Sequence, residues 1–187
     1  MVETAEWRDV VEPKTFVRYK GVWDMQDLYE SMVNWFRLRK FKFREHIYKH
    51  KHPSPFGVER QYVWEAWQNE TDYIQTRYHI YIHTYDARDI EVIMPDGMKR
   101  IFTKGRIWIE VKVYMKTDYE GRWEEKRFYL HLKDFYNKYV IRKNFTEGWA
   151  PKNRYEMYNF VAMVKNRLKM QADEYEHVNF VGVHKRY

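Results

Sequence analysis

The sequence predicts an α+β fold: a mostly antiparallel sheet of about six to seven strands, one helix in the N-terminal half, and one long C-terminal helix packed on the same face of the sheet. Three observations carry this expectation. Apolar residues recur three and four apart in two stretches, near residues 25–36 and 157–168. Between them, several segments alternate apolar and polar residues with period two. Short breaks rich in Gly, Pro and Asp separate those segments, and none is long enough to act as a linker. A single domain over 1–187 is therefore expected, with length enough to bury one core.

Residues 1–13 form an acidic leader, after which "KTFVRYKG" reads as a short strand stopped at Gly21. In "WDMQDLYESMVNWFRL", Met25, Leu28, Tyr29, Met32, Trp35 and Phe36 fall on one helix face, and Asp24 is placed to cap the first turn. From Phe41 the period becomes two, with Phe41, Phe43 and Ile47 on one side and Lys42, Arg44, His46, Tyr48 and His50 on the other. Pro53 and Pro55 in "HPSPFG" mark a loop, since neither can serve a central ladder.

"ERQYVWEAW" and "TRYHIYIHTY" follow as strands; in the second, Tyr78, Ile80 and Ile82 alternate with Arg77, His79, Tyr81, His83 and Tyr85. "IEVIMPDGMKRIF" reads as a hairpin about a Pro-Asp-Gly turn. The cleanest strand is "RIWIEVKVYMK", where Ile107, Ile109, Val111, Val113 and Met115 face a core and Arg106, Trp108, Glu110, Lys112, Tyr114 and Lys116 face away. Its hairpin partner is expected in "RWEEKRFYLHLK", with Phe128, Leu130 and Leu132 inward and Arg127, Tyr129, His131 and Lys133 outward. Gly148 and Pro151 announce the last helix, with Asn153 and Glu156 at capping-box spacing and Met157, Phe160, Val161, Val164 and Leu168 as its buried stripe. The end of the chain either adds a strand or, over 176–187, remains a loose basic tail.

The chain has no Cys, which removes disulfides, thiolate metal sites and thiol nucleophiles together. Ser31 and Ser54 are its only serines, and it contains no phosphate-binding Gly loop, no GxGxxG and no His-Glu-x-x-His. No motif names a reaction, so a non-catalytic role is expected, with no cofactor and no metal. The start is charged rather than apolar, and no run approaches the roughly 18 apolar residues of a membrane span. A cytoplasmic protein with no membrane partner is the corresponding expectation.

Charge is concentrated rather than spread. "RLRKFKFREHIYKHKH", residues 37–52, holds seven Lys and Arg against one Glu, almost the whole of the net +7. The outward residues of the strands interleave rings with cations, the surface that single-stranded nucleic acid needs: rings stack on bases and cations follow phosphates. The residue types therefore point to a nucleic-acid or ribonucleoprotein binding module. Arg37, Arg39, Lys40, Lys42 and Arg44 are the candidate phosphate-binding residues, and Tyr81, Tyr85, Trp108, Tyr114 and Tyr129 the candidate stacking residues.

The same rings would serve a structural or assembly subunit, viral or from another particle, because Tyr, Trp and Arg are favoured at protein interfaces. A homo-oligomer or larger assembly is the expectation on that reading. Metal chemistry has little support: His79 and His83 in one strand lie about 13 Å apart, too far to share an ion, and His50 and His52 stand among lysines. His46 and His50 would be helix neighbours, but the segment is patterned as a strand. Asp86, Asp89 and Glu91 in "DARDIE" could hold Mg²⁺, though acids at a turn commonly meet an arginine instead.

The order strand, helix, antiparallel strands, long helix also resembles the helix-grip domains of the START-like group across most of the chain. That resemblance lies in the topology, with no motif behind it. It implies a long C-terminal helix closing over a curved sheet, a cavity between them, and a small lipid or other ligand inside.

Overall fold

The computed structural model describes residues 9–10, 14–54, 57–93, 97–123 and 127–170, with side chains for 14–49, 57–93, 97–123 and 127–170. In chain order the elements are β1 (Asp9–Val10), β2 (Thr15–Trp23), α1 (Met25–Leu38), β3 (Lys42–Ser54), β4 (Gly57–Asn69), β5 (Ile74–Ile93), β6 (Lys99–Thr117), α2 (Arg127–Phe135), α3 (Arg142–Asn144) and α4 (Ala150–Arg167). Wider π-helical stretches at Tyr136–Ile141 and Phe145–Trp149 join α2, α3 and α4 into one long helical segment. The rest of the acidic leader and the C-terminal tail lie outside the described residues.

All strand pairings are antiparallel, and β6, β5, β4 and β3 lie side by side in that order. The sheet has five strand positions rather than the expected six to seven, because β1 and β2 share one: both pair with the same edge of β6. Two further expected strands merge with their neighbours. The arms of the "IEVIMPDGMKRIF" hairpin do pair, Ile93 opposite Lys99, but as continuations of β5 and β6, and residues 94–96 of its turn lie outside the described residues.

The segment expected to pair with "RIWIEVKVYMK" is helical instead. Phe128, Leu132 and Phe135 fit a helical spacing as well as Phe128, Leu130 and Leu132 fit a strand, so periodicity left the choice open. Topology closes it: β5 takes one edge of β6 and β2 with β1 the other, so no place remains beside β6 for another strand. Tyr129 therefore sits on α2 and not on the sheet.

Smaller differences have local causes. β2 runs through Gly21 to Trp23, and β3 runs through Pro53 to Ser54, which an edge strand tolerates because its outer N–H groups need no partner. Gly148 lies within the π-helical stretch, and Asn153 does not cap a helix. Fully buried inside α4, it donates through Nδ2 to Thr76 Oγ1 at 3.0 Å. Asp24, by contrast, caps α1 as its position suggests, accepting from the Asp27 backbone N–H at 2.9 Å.

Both helical layers lie on one face of the sheet. Leu28, Met32, Trp35 and Phe36 of α1 and Met157, Phe160, Val161 and Val164 of α4 share a core with Trp64, Tyr78, Ile80, Ile82, Ile109 and Val111 from the strands. Arg167 pairs with Asp27 at 3.1 Å, joining the end of α4 to the start of α1. Rings pack between α1, α4 and the sheet: Phe160 lies 5.1 Å from both Trp35 and Phe36, and Tyr78 lies 5.3 Å from both Phe36 and Phe41. A second cluster, Ile74, Met115, Ile141 and Phe145, anchors the π-helical stretches at the end of the sheet.

Candidate nucleic-acid interface

Directly opposed residues of antiparallel strands point to the same side, so the register alone determines which side chains share the face away from the helices. Crossing from β3 to β2, Lys42 meets Trp67, Arg77 and Tyr114; the next row is Arg44, Glu65, His79 and Lys112. Then come Ile47, Val63, Tyr81, Glu110 and Phe16, followed by Lys49, Gln61, His83, Trp108 and Arg18. Last, Tyr85 lies opposite Arg106, which lies opposite Lys20. No described helix covers these rows.

The rings form a connected path. Phe16 lies 6.0 Å from Trp108, whose edge meets Tyr81 at 6.3 Å; Tyr81 lies 6.0 Å from His83, which packs 3.8 Å from Tyr85. Cations border the path. The Arg18 guanidinium sits 5.4 Å above the Trp108 ring and that of Arg106 5.7 Å from the Tyr85 ring, within cation–π range. Arg18, Lys20, Lys42, Arg44 and Lys49 are exposed and form no ion pair among the described residues.

The acids of this face are engaged. Glu65 receives His46 Nε2 at 2.8 Å and Arg77 at 3.1 Å, and the Tyr114 hydroxyl donates to it at 3.4 Å. Burial pushes the Glu65 carboxyl up, but the His46 hydrogen bond and the Arg77 charge outweigh it and hold the pKa below the usual carboxylate range. Glu110 behaves likewise, with Lys112 at 3.1 Å and Lys14 at 3.5 Å overcoming its burial. His79 is pushed below the ordinary imidazole value, first by burial and then by the nearby Lys112 ammonium. The face thus presents exposed cations beside carboxylates that are already paired with cations.

At one end of the face the strands bend. β5 carries one extra residue between Tyr85 and Arg88 relative to β6, and the same irregularity appears against β4 between Val58 and Arg60. Such a bulge bends a strand and sharpens its twist. Asp86 within it adopts φ 53°, and its carboxylate accepts from Arg106 Nε at 3.0 Å. Gly105 opposes the bulge and is itself opposite Gly21 on β2. Beside the bend lies an open cleft of about 320 Å3 whose lining includes Arg18, Lys20, Tyr85, Arg106 and Trp108.

The expected site residues separate into two groups. Lys42, Arg44, Tyr81, Tyr85, Trp108 and Tyr114 share the open face. Arg37 and Arg39 belong to the helical layer, where the Arg39 guanidinium stacks 3.9 Å over the Trp35 ring. Lys40 makes the left-handed turn into β3, φ 62°. Tyr48, expected to face outward, crosses to the helix side because a bulge between Glu45 and Ile47 shifts the register; its ring lies 5.0 Å from Tyr62. The same bulge places Ile47 on the open face, opposite Val63.

Phe16, Arg18, Lys20, Trp67 and Arg106 escaped the sequence reading as site members. The alternation of Phe16, Arg18 and Lys20 with Val17 and Tyr19 was the available signal, but it acquires meaning only once β2 is known to lie beside β6. Asp86 and Asp89 of "DARDIE" pair with Arg106 and with Arg60, the latter at 2.8 Å. Among the described residues, no three His, Asp or Glu side chains converge as a metal site would require. No described helix is long and apolar enough to cross a membrane.

No family model matches the chain. No curated protein matches it either.

Proposed function

We propose that the open sheet face binds single-stranded nucleic acid, alone or within a ribonucleoprotein, without catalysis. One observation supports this reading above the others: rings from β2, β5 and β6 and cations of β2 and β3 that form no ion pair among the described residues lie on one face that no described helix covers. Bases stack on such rings at about 1–3 kcal/mol each, and phosphates find Arg18, Lys20, Lys42 and Arg44 on both edges of the path. Because stacking accepts any base, binding has little sequence preference. Anisotropy of a labelled single-stranded oligonucleotide at several salt concentrations tests it. With about five phosphate contacts, log affinity falls against log salt with a slope of roughly −3 to −4; an affinity indifferent to salt rejects the reading.

An assembly role is the second reading, favoured by apolar residues exposed away from this face. Phe128, Phe135, Tyr139 and Val140 along the α2 segment, and Ile93, Met98 and Ile101 on the outer ends of β5 and β6, are all more than half exposed. Light scattering after size exclusion separates the two. A defined oligomer that fails to bind oligonucleotide supports assembly; a monomer that shifts on adding oligonucleotide supports the first.

A further inference from the structure

We propose that the cleft beside the β5 bulge is a subsite for one nucleotide unit, with its base against Trp108 and Tyr85 and its phosphate at Arg18 and Lys20. The inference rests on the open face being the nucleic-acid surface and gives that surface a fixed point of attachment. Elsewhere on the face the rings pack against one another and offer little but a flat platform. Here, beside the bulge at Asp86, the cleft of about 320 Å3 has a size within the range of small-ligand pockets.

Its chemistry is selective for a planar anion. Its lining holds three aromatic residues, Tyr19, Tyr85 and Trp108, three cationic ones and Ile107, with no carboxylate; Arg106 is paired with Asp86 close by, which leaves Arg18 and Lys20 for an anion. The Trp108 indole N–H itself is buried, with no hydrogen-bond partner among the described residues, so Trp108 meets a ligand with its ring. A simple anion would use the cations and ignore the rings, and a neutral base would do the reverse. A nucleoside monophosphate uses both.

The geometry of the cleft is built into the backbone. A Cβ on Gly105 would meet the Tyr85 carbonyl oxygen at 2.9 Å and the Ala87 Cα at 3.0 Å, so strands β5 and β6 approach this closely only because the position lacks a side chain. The bulge in turn carries Tyr85 and aims it along the row of Arg106 and Lys20. A ligand therefore meets a preformed surface.

The test follows the Trp indole N–H resonances by NMR during titration with adenosine monophosphate, with adenosine and inorganic phosphate titrated separately and a labelled oligonucleotide as reference. Trp108→Phe assigns the resonance. The expected result is a saturable shift of the Trp108 signal by the monophosphate, at least about tenfold tighter than by adenosine. Inorganic phosphate is expected to be weaker by a similar factor. Arg18→Ala with Lys20→Ala, both exposed and so compatible with folding, removes the monophosphate response. An oligonucleotide that binds while the monophosphate leaves Trp108 unmoved overturns the subsite and leaves the face reading standing. Phosphate binding as tightly as the monophosphate also overturns it, since the rings would then be idle. Failure of both oligonucleotide and monophosphate removes the subsite and the face reading together.

Discussion

Gly105 on β6 lies directly against the backbone of Tyr85 on β5, close enough that a Cβ there would sit 2.9 Å from the Tyr85 carbonyl oxygen. The obstructing atoms are backbone and cannot swing aside. Gly105→Ala is therefore expected to destabilise the fold by about 1–3 kcal/mol through overpacking, measured by urea unfolding. Gly97→Ala tests a contrasting case: its Cβ meets no atom within 4 Å, but its φ of 78° penalises any side chain. A stable, unchanged Gly105→Ala would show that the bend at this row is not enforced sterically.

Charge reversal distinguishes the sheet face from the helical layer. Arg18→Glu with Lys20→Glu should weaken oligonucleotide binding strongly and reduce the salt slope by roughly 1.4, two contacts at 0.7 each for a single strand. Arg37→Glu with Arg142→Glu changes net charge equally on exposed helical residues. Its slope should stay near that of the unmodified protein. Equal losses from the two pairs would point to bulk charge rather than a located surface.

Acid should favour binding and disfavour stability, both through His79. Its folded pKa is depressed by burial and by Lys112, so the unfolded chain binds the proton more readily. The contribution to stability is complete above the ordinary imidazole value near 6.5 and is lost as pH falls toward the lower folded value. A bound phosphate would stabilise the imidazolium, so oligonucleotide affinity rises over the same window. His79→Gln should flatten both curves, monitored by thermal melts and anisotropy from pH 7.5 downward. An affinity independent of pH in this range would remove His79 from the phosphate path.

The buried hydroxyl of Tyr78 has no hydrogen-bond partner among the described residues, although the ring is enclosed by Trp35, Phe36 and Phe41. Burial pushes its pKa far above the normal phenol value. Tyr78→Phe keeps the ring contacts and removes an unsatisfied polar atom. Stability should be unchanged or higher, by up to about 1 kcal/mol, in chemical denaturation. A loss larger than that would mean that the hydroxyl has a role the ring contacts conceal.

Much of the architecture could be read from local pattern, because α1, β4 and the central parts of β5 and β6 have an unambiguous period and well-placed ends, as Asp24 illustrates. The misreadings share a cause. Phe128, Leu130 and Leu132 satisfy a strand as easily as Phe128, Leu132 and Phe135 satisfy a helix, and the deciding fact, that β2 occupies the edge of β6, is a long-range pairing invisible to periodicity. Bulges carry the same lesson on a smaller scale: the register shift after Glu45 sends Tyr48 to the opposite face. Tyr81, Tyr85, Trp108 and Tyr114 came together because plain alternation in two neighbouring strands suffices. Arg18 and Lys20 stayed unrecognised because their strand joins the sheet from far away.

The pairing of Thr15 with Val111 bears on how the chain reaches its native state. β2 precedes β3, β4 and β5 in the chain, yet its partner is β6, the last of the described strands. Until β6 joins it, β2 must wait with Val17 and Trp23 unprotected, so closure of this ladder is a late, entropically costly event that should slow folding. A circular permutant that places β2 directly after β6 would shorten that wait.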